Sequence, residues 1–290
     1  MKRLALALLA SAFVVPAHAD VALPVKIYAQ HLADEAIAKN PDLLVIMMHV
    51  TPPGAADNIV VASNIGRIGK LGDEDDMRVI TTGKPNLEIA HNGTRFEVEL
   101  VMQDMGGNTI GAMGLVFPYK DGDDKEKLRM RAEGIRDAMN VRTLNTANLL
   151  ESYPLDKSAT TKTHAQKLVD GTLKKHPEVL LLAMHVTPPK GSDNIIIASN
   201  IGRIGKKADE DDLKVIATGA PHLAVNEAAK RFSAELVLQD AAGKTIGAIG
   251  IGLPYSKGDD QAALIKKAEG VRDEFKAQIP TIESIMELDP

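Results

Sequence analysis

The spacing of apolar residues changes several times along this chain, and each change marks an element. Between Pro24 and Lys39, Ala29, Leu32, Ala36 and Ile37 fall on one helical face, and Pro41 closes the stretch. Leu43 to Val50 is a short apolar run ended by Thr51-Pro52-Pro53, which predicts a buried strand. A turn with Gly54 and Asp57 leads to a second strand, Ile59 to Ser63. The glycine-punctuated loop Asn64 to Lys70 follows, then Asp73-Glu74-Asp75-Asp76 and an apolar helix that stops at Gly83. Acids in a first turn suit the helix dipole, and glycine just past the last turn suits a left-handed cap. Alternation returns at Arg95 to Gln103: Phe96, Val98, Leu100 and Met102 share one face, and Arg95, Glu97, Glu99 and Val101 the other. With Thr109 to Tyr119 across the turn Asp104 to Asn108, this reads as a hairpin. Gly122-Asp123-Asp124 caps a closing helix with Leu128, Ala132 and Ile135 on its apolar face.

The whole pattern then recurs. Each residue from Ala29 to Asp137 aligns, without a gap, with the residue 136 positions later. HVTPP stands at His49 to Pro53 and His185 to Pro189, and ASNIGRIGK at Ala62 to Lys70 and Ala198 to Lys206. A repeat of this length is a domain, so the chain is expected to hold an α/β (α+β) fold of two tandem domains. Neighbouring strands joined by short turns imply an antiparallel sheet flanked by helices in each. The expected boundaries are a signal peptide at 1–19, a first domain at 20–140, a more polar linker at 141–163 and a second domain at 164–290.

Lys2 and Arg3, the apolar run Leu4 to Val15 and the Ala17-His18-Ala19 cleavage site predict export, here to a periplasm. That run is too short to span a bilayer, so no membrane insertion is expected. There is no cysteine, which excludes a disulfide framework and thiolate chemistry. Loss of Lys2 and Arg3 takes the formal charge from -5 to -7, and with aromatics at 3% and no tryptophan this argues against nucleic-acid binding.

Ile68-Gly69-Lys70 before an acid-rich helix, and Asp104 to Gly114 as D-x-x-G-x-x-I-G-A-x-G, resemble the extracytoplasmic Cache (PAS-like) sensor family. Ile204-Gly205-Lys206 and Asp240 to Gly250 repeat the motifs. The resemblance implies a PAS-like fold with a small-molecule pocket. Family members usually sit between membrane helices and drive an output domain, neither of which is read here. The tyrosine, arginine and tryptophan pattern of the amino-acid-binding members is also missing.

Shared glycines, prolines and helix-end acids are explained by backbone geometry and helix dipoles. Polar residues matched in both copies and left over are His49, Thr51, Asn58, Asn64, Arg67, Lys70, Arg95, Glu99 and Tyr119; of these the candidate ligand contacts are His49, Asn64, Arg67, Lys70 and Tyr119, with His185, Asn200, Arg203, Lys206 and Tyr255. Each histidine lies in an apolar strand, where it is either a core residue bonded to backbone or a ligand-binding or titrating group. No HxH, HxxxH or HExxH spacing is present, so no metal site is assigned. In the loop from Asn64 to Lys70, glycines and two cations near a helix start could hold an anion, while Ile65 and Ile68 could equally plug a core. Arg95 and Glu99 read as a solvated or helix-facing pair. Beside Ile110 and Ile246, the small residues Ala112 and Gly114, and Ala248, Gly250 and Gly252, leave room above the sheet for a ligand or a close helix.

No nucleophile elbow or isolated carboxylate pair points to catalysis, so the chain is read as a non-enzyme without a cofactor. The expected function is a soluble periplasmic sensor that binds a small polar or anionic ligand and presents its state to a membrane sensor, receptor or transporter. Two alternatives stand beside it: a ligand-free interaction module of the cell envelope, and a periplasmic protein binding metal or haem through His49 and His185.

Overall fold

The computed structural model describes residues 26–156 and 160–289. The expected signal peptide lies outside the described residues. The first module runs α1 (Tyr28–Lys39), β1 (Val45–Val50), β2 (Ile59–Ser63), α2 (Glu74–Thr82), β3 (Asn86–Ala90), β4 (Arg95–Gln103), β5 (Thr109–Pro118), α3 (Lys125–Asn140) and α4 (Thr146–Leu149). The second repeats it as α5 (His164–Lys175), β6 (Leu181–Val186), β7 (Ile195–Ser199), α6 (Glu210–Thr218), β8 (His222–Asn226), β9 (Arg231–Gln239), β10 (Thr245–Pro254), α7 (Gln261–Gln278) and α8 (Ile282–Met286).

Each module is an antiparallel five-stranded sheet, ordered β2-β1-β5-β4-β3 and β7-β6-β10-β9-β8. The fold is α+β in both halves, an antiparallel sheet with helices packed on its faces. Alternation decides which side chains each sheet face presents. Ile46, Met48, Val98, Leu100, Met113 and Leu115 form the first core together with Leu32 of α1 and Ile135 of α3. The opposite face is covered by α2. Asp73 caps α2 in a reciprocal capping box with Asp76, and Gly83 ends it at φ 68°. Asp209, Asp212 and Gly219 do the same for α6.

Two features depart from the sequence reading. β3 and β8 add a fifth strand to each sheet; mostly exposed, as sheet edges, they carry no buried stripe to announce them. The stretch expected as linker is also structured up to residue 156. Leu149 is fully buried in the first core, and Tyr28 and Tyr153 donate backbone bonds to Glu151 and Lys26. Its polarity reflects capping and backbone bonding, such as Asn145 accepting from the Asn148 amide at 2.9 Å. The second module closes in the same way, with Thr163 bridged to Leu288 and α8 packed on α5.

Candidate functional site

Beneath α2 and α6 the sheets carry a polar layer. His49 and His185 project from β1 and β6 on the face opposite the main core, next to a register shift that re-aims the strand. Across the sheet, Gly111 and Gly247 allow the close approach: a Cβ there would stand 1.9 Å and 1.8 Å from the His49 and His185 carbonyl oxygens. Both imidazoles are buried, and each Nδ1 lies 3.5 Å from a carboxylate oxygen, of Asp76 and Asp212 respectively. Neither Nδ1 has a hydrogen-bond partner. Burial holds both histidines below the usual imidazole range, against the pull of Asp76 and Asp212.

A glutamate completes each layer, differently in the two modules. Glu99 of β4 accepts from Asn86 Nδ2 at 3.2 Å and is pushed up to about 7 by burial and then by Asp76. In the second module His222 takes the place of Asn86 and lies 3.4 Å from Asp211 instead. Glu235, without that donor, folds over Gly250, where an added Cβ would stand 2.5 Å from Glu235 Oε1. Its Oε2 is buried without a partner, and burial, reinforced by Asp212 and Asp209, pushes its carboxyl up to about 8. His185, Asp212 and Glu235 have ligating atoms within 4.8 Å of one another; in the first module the corresponding set is Asp73, Asp76 and Glu99, without the histidine.

The remaining sequence candidates do not join the histidines in one pocket. Asn64 braces strands, accepting from the Ile46 amide at 2.9 Å and donating to the Leu44 carbonyl at 3.0 Å; Asn200 repeats this with Leu182 and Leu180. Arg67 is exposed, and Lys70 pairs with Asp73 at 3.7 Å. Arg203 makes a two-pronged bond to Glu151 of the first module, at 2.9 and 2.7 Å, so its charge is already matched. Lys206 is exposed, and its backbone bonds to Ile196 and Arg203. Tyr119 packs on Phe96 with Lys125 over its ring, and Tyr255 packs on the second core.

A second site lies where the modules meet. A cleft of about 570 Å³ has Tyr28, His31, Glu35, Arg142 and Tyr153 on one wall and Gln166, Asp170 and Asn200 on the other. Glu35 is held near 2 by its bond from His31 and by Arg142, despite partial burial. Tyr153 stacks on His31 with ring centroids 3.8 Å apart. The Tyr28 hydroxyl, raised to about 12 by burial, bridges the modules by donating towards the Asn200 carbonyl at 3.2 Å and that of Arg142 at 3.3 Å. The cleft therefore offers fixed charges of both signs and aromatic surface within the size range of small-molecule sites. Sequence comparison of the copies missed it, because Tyr28, His31, Glu35, Arg142 and Tyr153 face His164, Lys167, Gly171, Gln278 and Asp289 in the repeat.

No protein-family profile matches the chain, and no curated protein matches it. Among solved structures it is similar to the GAF domain of A. aeolicus nlh2, at 16% identity and TM-score 0.30 over 54% of this chain and 96% of that one. It is similar also to the periplasmic domain of RsbU from Chlamydia trachomatis, at 8% identity and TM-score 0.26 over 86% and 81%. The periplasmic sensory domain of the Campylobacter jejuni chemoreceptor Tlp1 matches at 9% identity and TM-score 0.19 over 75% and 74%. Likeness at this level carries no inference about ligand or partner. No helix among the described residues is long and apolar enough to cross a membrane.

Proposed function

We propose that this chain is an exported sensing protein of the Cache type, which takes one small polar molecule into the cleft between its modules. The observation that carries the reading is that both modules supply the walls, so occupancy bears directly on how the modules sit against each other. Opposed charges on Arg142, Lys39, Glu35 and Asp170 suit a ligand with both donor and acceptor groups, and the tyrosines suit its apolar part. The signal-like N-terminus supports the periplasm as the setting, where a membrane sensor, receptor or transporter reads the bound state.

A thermal-shift screen of amino acids, small organic acids and amines tests this. A ligand at about a hundred times its Kd stabilises the folded chain by about 2.7 kcal/mol. Lys39→Ala combined with Asp170→Ala changes two exposed residues at the rim, and is expected to keep the fold while weakening that ligand about tenfold. A chain that no compound stabilises would turn the assignment towards a ligand-free interaction module, and a hit indifferent to the double substitution would argue against the cleft as the binding place.

A further inference from the structure

The second module holds a trio that the cleft does not use. His185, Asp212 and Glu235 come from β6, α6 and β9, three elements far apart in sequence that close on one point under the α6 N-terminus. We infer that these three side chains form a binding site for a single divalent transition-metal cation.

The donor set is the first ground. One imidazole nitrogen and two carboxylate oxygens suit zinc and its first-row neighbours, and three protein ligands leave a position for water or an exogenous ligand. Orphaned atoms are the second. His185 Nδ1 and Glu235 Oε2 are buried and without hydrogen-bond partners, and the His185 residue is only 6% exposed. Leaving such groups unmet is costly in a folded chain, and a cation satisfies both at once. Support around the trio is the third. The Asp212 oxygen nearest His185 also accepts the Asp209 amide at 3.0 Å in the capping box, which fixes the carboxylate as an outer-shell bond fixes a metal ligand. Gly250 leaves the space that the Glu235 carboxylate fills, and any side chain there would meet it.

Charge agrees. Asp209 and Asp211 add negative charge beside the trio, and among the described residues Lys206 is the cation that acts on His185. The first module lacks the arrangement: Asn86 draws Glu99 away, and His49 drops out of the cluster. The site belongs to the second copy alone.

The test uses the full chain stripped with a chelator and then titrated with Zn²⁺ by calorimetry, with Co²⁺ as an absorbing substitute. One cation per chain is expected, with Co²⁺ showing the spectrum of a nitrogen-and-oxygen site. His185→Gln and Glu235→Gln should each weaken Zn²⁺ by about ten- to a hundredfold, and His49→Gln should leave it unchanged. Circular dichroism establishes that each variant is folded. The inference is overturned by no binding to the stripped wild-type chain, by two equal cations per chain, or by affinity indifferent to folded His185→Gln and Glu235→Gln variants. No binding would mean instead that Glu235 keeps its proton and shares it with Asp212.

Discussion

The same seven residues, Asn-Ile-Gly-Arg-Ile-Gly-Lys, occupy two environments in this molecule. In the first module the loop from Asn64 to Lys70 is exposed throughout, with Ile65 at 45% and Ile68 at 47%. In the second, Ile201 is 2% and Ile204 4% exposed. Ile201 packs with Met105 and Leu144, its carbonyl accepts from Asn148 at 3.0 Å, and Arg203 grips Glu151, all of the first module. Identical sequence has thus yielded a free loop in one copy and an interface in the other. Loop conformation belongs to the segment, since Arg67 and Arg203 share a left-handed backbone at φ 67° and 61°. Burial belongs to what stands opposite.

Paired substitutions sharpen that contrast, because each variant carries its own control 136 residues away. The largest effect is expected for Ile201→Ala, which removes buried contacts and should cost about 2–5 kcal/mol in denaturant unfolding. Ile65→Ala should stay within about 0.5 kcal/mol. Gly66→Ala and Gly202→Ala both place a Cβ on left-handed backbone, at φ +79° and +69°, and share that strain of about 1–2 kcal/mol. Only the second meets a neighbour, the Tyr28 ring at 2.8 Å, so it should lose a further 1–3 kcal/mol, roughly. Arg203→Ala leaves Glu151 without its cation and with the Asn148 side-chain amide still donating to it; with the pair partly screened by solvent, about 1–2 kcal/mol is expected, against almost nothing for Arg67→Ala. Equal losses within any pair would break the comparison.

The two glutamates offer a gentler test in metal-free protein. Glu235 titrates near 8 when folded, above the ordinary carboxyl value of 4.5, so the folded chain binds its proton more tightly than the unfolded chain. Its contribution to stability is complete below about pH 4.5 and is lost as pH rises through about 8. Glu99 follows the same sign and is spent by about pH 7. Glu235→Gln should therefore flatten the decline of the thermal midpoint between pH 5 and 8, roughly, more than Glu99→Gln does. A wild-type midpoint that climbs over that interval, with Glu235→Gln leaving it unaltered, would contradict the assignment.

Much of the fold was legible in the sequence for physical reasons that can be named. Phe96, Val98, Leu100 and Met102 alternate because one sheet face is core, and Asp73 and Gly83 mark the ends of α2 because helix termini need capping. β3 was not legible, since its only apolar alternation, Leu87 and Ile89 between polar neighbours, is too short to announce a strand, and both side chains stay exposed at the sheet edge. The histidines stood out as polar residues in apolar strands. Their partners did not: Asp76 and Asp212 look like any helix-start acid, and Glu99 and Glu235 alternate as a solvated face would. Nothing local shows that α2 and α6 lie over them. The cleft was hidden by the comparison of copies itself, which selects matched residues, whereas a site between unlike neighbours is built from Tyr28, Glu35 and Arg142, which have no match.

One organic ligand per chain, held between the modules, is tested most directly by native mass spectrometry of the protein purified without refolding. A single small polar molecule per chain is expected, identified after denaturation and bound less tightly by the Lys39→Ala, Asp170→Ala double variant. Two such molecules per chain, one for each module, or a chain that stays empty through the metabolite screen, would contradict it.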